Sequence, residues 1–443
     1  MKRTSIAVLI GALLAGAYSL PAPDEGPVPL AGVIIERPGI ESPIDAAIWY
    51  CAWAQSGAER DSVVSVASMT PSLAEFTFPV AIPGEDPDTA QLEMLGPGAA
   101  VLTLSDIAQR GDSPSFIEFT DGPSAATVSV VGDVLTADAC VASGPDEWFF
   151  VGGSTRTGET LRLRLFNPFP EIAKVTVSGF SEIGVEALGE LRSVTVNPRS
   201  WRDIDFQELL RQRETLAISV RTESGLIVPA MSFANGADEA WWTGTGLSTE
   251  WEFPVARQSG LEDAAIVVAN PGLAPVEITV DVFTRTGPQP AALTFTVGAE
   301  SPLRIGFEEI EETVIGARLT ATSPVAAAVV ATGEGGTAVT SGVPATSRTW
   351  LLPGLRAAEP DEGFLWLLNS GDEAVTVTIG VLTGSATINT KEVLDPGTVR
   401  RIQVEDVSAL GYVVFAADPF SAGWSISGST GAAFSSGLSV QEE

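Results

Sequence analysis

Histidine does not occur anywhere in the 443 residues. Histidine is the commonest general base near neutral pH and the commonest ligand of transition metals. Its absence excludes Ser-His-Asp and Cys-His nucleophilic catalysis and most zinc sites. Carboxylate chemistry, such as glycoside hydrolysis, and oxygen-ligated calcium remain open. Positive charge is scarce: 24 Lys+Arg stand against 56 Asp+Glu, a net charge of −32. Such a surface repels nucleic acid and anionic headgroups, and suits a solvated face, a basic partner or divalent cations. The chain also has no phosphate-binding loop, dinucleotide fingerprint, nucleophile elbow or EF-hand spacing, so no cofactor and no metal is predicted. What is present is ample apolar material, 45% of residues, enough for packed cores rather than disorder.

There are two cysteines, Cys51 and Cys140. An even number in an exported chain predicts one disulfide between them; the alternative is a pair of buried thiols. Export is suggested by the N-terminus, where Lys2 and Arg3 precede an apolar stretch from Ile6 to Leu20. That stretch reads as a secretory signal that is either cleaved near Ala15 and Ala17 or kept as a signal anchor; retention is favoured. The Pro-, Glu- and Gly-containing segment after it reads as an extended linker.

Internal repetition dominates the rest. Trp49, Trp148, Trp251 and Trp350 are 99, 103 and 99 residues apart. Nineteen residues after each tryptophan come Ser68, Asn167, Asn270 and Asn369. Strict apolar alternation follows: Ala74, Phe76, Phe78; Ala173, Val175, Val177; Val276, Ile278, Val280; Val375, Val377, Ile379. Period two is the mark of a strand with one buried face. Farther on, Leu104, Phe206, Phe307 and Val404 are each followed two residues later by an acid: Asp106, Glu208, Glu309, Asp406. These predict a short helical or turn segment with the acid as a local cap. About seven short strands per hundred residues, separated by Gly/Pro turns, predict an all-β chain of four tandem seven-stranded β-sandwiches. A common propeller blade needs only about 45 residues, so a four-bladed propeller fits the repeat length poorly. The predicted segments are a signal peptide or anchor at 1–22, a Pro-rich linker at 23–47, and repeats at 48–145, 146–247, 248–347 and 348–443.

The Asn-Pro-x-x-x-x-Val-x-Ile-x-Val unit that starts at Asn270 resembles the immunoglobulin-like or fibronectin-like adhesion modules of bacterial surface proteins. The whole chain, with Trp49-Tyr50-Cys51 as its most specific segment, resembles an actinobacterial family of secreted or membrane-anchored proteins of unknown function. The resemblance implies Ig-like repeats and an envelope role by association, with an envelope glycosyltransferase as one candidate partner. It carries over no catalytic or binding residue.

The four register tryptophans read as core or junction residues. Trp201, Trp241 and Trp242 fall outside the repeat register and are the ligand-binding candidates, as an exposed aromatic cluster would mark a contact surface. The three asparagines read as strand-ending turns. Acid clusters such as Glu308, Glu309, Glu311 and Glu312 read as solvated loops. The combined expectation is a non-catalytic extracytoplasmic scaffold or binding protein. It would be anchored to the membrane by its N-terminal helix (or secreted if cleaved) and would contact a membrane or wall component. The alternative is a carbohydrate-binding or adhesive surface protein.

Overall fold

The computed structural model describes residues 33–36, 48–57, 59–80, 85–107, 111–142, 144–289, 293–355, 361–383, 387–404 and 409–442. The predicted signal or anchor segment, 1–22, lies outside the described residues. Among the described residues no helix is long and apolar enough to cross a membrane.

The alternating runs form strand faces. Ala74, Phe76 and Phe78 are buried, as are the corresponding residues of the other repeats through Val375, Val377 and Ile379. Lys174, Glu277 and Thr376, each between two of these positions, face solvent. β-Branched residues dominate these strands in the third and fourth repeats, Val276–Thr284 and Val375–Leu382, because they pack well on a pleated, half-buried surface.

Each repeat forms two antiparallel sheets. In the second repeat one sheet runs Glu147–Val151, Leu216–Ser224, Ala173–Ser181, Gly184–Val185; the other runs Ser200–Asp205, Glu159–Asn167, Val228–Asn235, Asp238–Thr243. In the third and fourth repeats a single long strand, Ile315–Gly333 or Gly411–Gly428, serves both sheets. In the second repeat that strand is interrupted at Gly225, whose φ of 74° is left-handed.

The innermost strand of each four-stranded sheet is Thr136–Ala139, Asp238–Thr243, Gly336–Ser341 or Gly431–Ser436. These four touch in a cycle, first to second to third to fourth to first, and the sheets are arranged like a four-bladed propeller. This corrects the expectation of four sandwiches in tandem. Repeat length misled because each repeat supplies both a blade and a second sheet. The strand that carries the repeat tryptophan packs its sheet on the next blade: Glu147–Val151 against the third repeat, Ser248–Arg257 against the fourth, and Ser347–Pro353 against Ser124–Gly132 and Arg60–Ser68 of the first. The cores are therefore shared, and one apolar cluster joins Trp251, Ile278 and Leu319 to Trp366, Leu368 and Phe434. An isolated blade would leave its innermost strand as an open edge; the cycle covers all four.

Hydrogen bonds complete the circuit at the axis. Thr243 N–H donates to Asp138 Oδ2 at 2.8 Å, Ser341 Oγ to the Thr243 carbonyl at 3.3 Å, Ser436 Oγ to the Ser341 carbonyl at 2.8 Å, and Ser435 Oγ to Asp138 Oδ1 at 3.4 Å. The first and last described strands also meet. Val33–Glu36, inside the predicted linker, is a strand pairing antiparallel with Leu438–Glu442. The helical segments predicted after Leu104 and Phe206 are present at Leu104–Asp106 and Phe206–Leu209. The cap of the second is Asp205, which accepts from Gln207 N–H at 2.9 Å, rather than Glu208.

Candidate functional site

The register residues hold the fold. Trp49, Trp148, Trp251 and Trp350 are all buried, and three of their indole N–H groups donate inward: Trp49 to Ser124 Oγ, Trp251 to the Val325 carbonyl and Trp350 to the Phe420 carbonyl. Asn167, Asn270 and Asn369 are buried too. Each donates Nδ2 to the carbonyl four residues on, at 2.7 to 2.8 Å, and accepts at Oδ1 from the N–H two residues on. These bonds satisfy backbone groups that a strand end would leave open.

The off-register tryptophans do not form an exposed cluster. Trp241 and Trp242 are 3% and 0% exposed. Trp201 is half-buried on the edge strand Ser200–Asp205. Trp241 stacks on Trp53 of the first repeat, with ring centroids 5.5 Å apart and planes 13° from parallel. The Arg164 guanidinium lies over the Trp241 ring, 5.3 Å from its centroid. Arg164 is itself 1% exposed and forks onto Asp203 at 2.8 and 2.7 Å, with Nη2 also 2.8 Å from Asp112 of the first repeat. Burial alone would lower its pKa; the hydrogen bonds and charge of Asp203 and Asp112 outweigh that and raise it. Its Nη1 has no hydrogen-bond partner. Arg60 bridges the same two repeats, reaching Asp133 at 2.7 Å and Glu239 at 2.5 Å. The first junction is thus an aromatic stack clamped by buried, multiply paired arginine.

The third junction carries a buried acid. Glu252 follows the repeat tryptophan directly and is 1% exposed. It accepts from Ser370 Oγ of the fourth repeat at 2.7 Å, while its Oε2 has no hydrogen-bond partner. Burial pushes its pKa up to about 7, against the opposing pull of the Ser370 bond and the Arg318 charge. Arg318 is held mainly by Asp281, at 2.8 Å. Sequence reasoning missed Arg164, Asp138 and Glu252. Among the described residues, no three acidic or cysteine side chains are grouped to hold a metal ion. The predicted disulfide is present: Cys51 and Cys140 are bonded, with Cα atoms 4.6 Å apart.

The second junction holds a groove of about 660 Å³, between the first sheet of the second repeat and the turn after Asn270. Phe149, Phe180 and Val276 line it, and Glu147, Arg221 and Glu300 also border it. Because it combines apolar walls with a few charged groups, this groove is the candidate binding site.

A family model described as "Family of unknown function (DUF5719)" matches residues 122–405. No curated protein matches the chain. Among solved structures, the dimeric latent PorU from Porphyromonas gingivalis is similar at 9% identity and a TM-score of 0.15, covering 67% of this chain and 33% of that one. This chain therefore spans about a third of PorU. A tetra-tandem repeat from the extending region of a large adhesion protein is similar at 12% identity and a TM-score of 0.12, covering 88% of this chain and 93% of that one.

Proposed function

We propose a function for a chain that belongs to the family of unknown function DUF5719: it is a non-catalytic extracytoplasmic scaffold or binding protein of the cell envelope, accessory to envelope glycan assembly. One observation carries this reading. The conspicuous aromatic and polar side chains, Trp53, Trp241, Arg164, Asp138 and Glu252, are spent on joining one repeat to the next, which suits a rigid body that presents a surface. The Cys51–Cys140 disulfide suits an oxidising compartment. An N-terminal anchor, an actinobacterial source and descent of the repeats from Ig-like modules belong to the same proposal. The carbohydrate-binding alternative needs exposed aromatics; with Trp241 and Trp242 buried, it keeps Trp201 alone.

In-cell crosslinking of the full-length protein, followed by mass spectrometry, tests the reading. Reproducible capture of a membrane or wall component is the expected result. Fractionation with the cytoplasm, or turnover of a wall glycan by the purified protein, would contradict it.

A further inference from the structure

Successive junctions are built from equivalent parts. The residue after the repeat tryptophan is Tyr50, Phe149 or Glu252, and each donates its backbone N–H to a matching carbonyl, of Val141, Thr245 or Val343. Facing it is the second residue after the asparagine of the next repeat: Phe169, Gly272 or Gly371. Each of these donates its N–H to the Asn Oδ1, at 3.0, 2.9 and 3.1 Å. Each also accepts, at its carbonyl, the N–H of a residue in left-handed conformation: Arg199 (φ 48°), Glu300 (φ 47°) or Gly397 (φ 62°).

At the first junction Phe169 packs on Tyr50, with ring centroids 5.4 Å apart, and Arg199 stands beside it in the turn. At the second junction the same three places hold Phe149, Gly272 and Glu300. The aromatic side chain is missing and a carboxylate replaces the cation. At the third junction Ser370 and the buried Glu252 close the gap instead. The second junction therefore keeps its groove of about 660 Å³ beside Phe149. Its border carries large apolar side chains in water: Leu273 is 85% exposed, Val185 63% and Leu247 38%. Exposed apolar residues grouped round a concavity mark a contact surface.

We propose that the groove between the second and third repeats is a docking site for a segment of a partner protein that presents an aromatic side chain beside a basic residue. The partner supplies from outside the pair that Phe169 and Arg199 supply within the chain one junction earlier. The ring takes the space next to Phe149 between Leu247 and Leu273, and the cation meets Glu300. A chain of net charge −32 steers such a basic segment towards it. The inference deepens the binding-protein reading by naming the surface and the chemistry of what it holds.

The test titrates the full chain, with leucine and valine methyl groups isotope-labelled, with acetyl-Lys-Phe-Lys-amide and acetyl-Lys-Ala-Lys-amide. The Phe peptide is expected to shift the methyl signals of Val185, Leu247 and Leu273 saturably, and the Ala peptide to bind about tenfold more weakly or less. Gly272→Phe, which installs the missing plug at a position whose equivalent already holds Phe169, is expected to abolish the response. Leu273→Asp, at an exposed position that the fold does not need, is expected to weaken it about tenfold. Equal responses to the two peptides, no response at millimolar peptide, or a response unchanged in both variants overturns the proposal. So does a glycan oligomer or a lipid vesicle that moves these methyl signals when the peptides do not. A failed titration removes the groove assignment only; the envelope reading stands or falls on crosslinking and fractionation.

Discussion

Ser435 of the last repeat donates its hydroxyl to Asp138 of the first, at 3.4 Å, although 297 positions separate them in the chain. Asp138 also receives Thr243 N–H of the second repeat, so one buried carboxylate ties three consecutive members of the cycle. Replacing it orphans the buried Thr243 N–H, which costs about 1–3 kcal/mol, while the Ser435 hydroxyl can turn wholly to the Ser436 carbonyl at 3.2 Å. Asp138→Ala is expected to destabilise the protein by about 2 kcal/mol in denaturant unfolding, and Asp138→Asn, which keeps one carbonyl oxygen, by less. A loss below about 0.5 kcal/mol for the Ala variant would mean that the axis does not hold the cycle together.

Glu252 sets a pH dependence with a definite sign. Its folded-state pKa of about 7 lies above the ordinary 4.5, so the folded protein binds this proton more tightly than the unfolded chain. Stability contributed here is full below about pH 4.5, falls as the pH rises towards 7, and is lost above that. The shift sets an upper bound of about 3 kcal/mol. Because the other carboxylates also titrate, the informative quantity is the stability of Glu252→Gln minus that of the parent. That difference should rise by about 2–3 kcal/mol between pH 4 and pH 8. A difference that stays flat would show that the carboxyl is not buried at the junction.

The Trp53–Trp241 stack is read as structural. Trp241→Ala should cost about 3–5 kcal/mol, as for other buried large aromatics. A double-mutant cycle with Trp53→Ala should return a coupling of about 1 kcal/mol, the range found for packed aromatic pairs. A Trp241→Ala variant that melts like the parent, yet loses binding to a glycan, would reverse the assignment.

The disulfide spans 89 positions of the first repeat. Chain-entropy arguments give about 4.6 kcal/mol for a loop of that size. Reduction, or Cys51→Ser with Cys140→Ser, should lower unfolding stability by an amount of that order. The loss should be the same at pH 5 and pH 8, which separates it from the effect of Glu252. No change on reduction would mean that the first repeat is held by its neighbours alone.

Much of the strand layout was legible in the sequence because it follows from local pattern. The alternation at Val276, Ile278 and Val280 and the Asn turns at Asn167, Asn270 and Asn369 depend only on residues close in the chain. The arrangement of the sheets was not legible, because the contacts that decide it, such as Asp138 with Ser435, join residues hundreds of positions apart. The tryptophan pair shows the same limit. Nothing local in Asp238–Thr243 says that Trp53, in a different repeat, covers Trp241. One signal was nonetheless present. Glu252 occupies the place filled by Tyr50, Phe149 and Leu351 in the other copies, an acid in an otherwise apolar or aromatic column. A charge in such a place predicts a buried partner. Arg164 gave no such signal, because it alternates with Leu163 and Leu165 just as Arg162 does, the pattern of a solvated strand face. The open groove was beyond sequence reasoning, since it takes the packed junctions to show that Gly272 stands opposite Phe149.

Small-angle X-ray scattering of residues 33–443 tests the closed cycle of four repeats most directly. A compact body of that length has a radius of gyration of about 22 Å, whereas four hundred-residue modules strung end to end reach about 40 Å. A value near the first figure is the result predicted by ring closure between the first and fourth repeats. A value near the second would contradict it, and with it the junctions on which the functional reading rests.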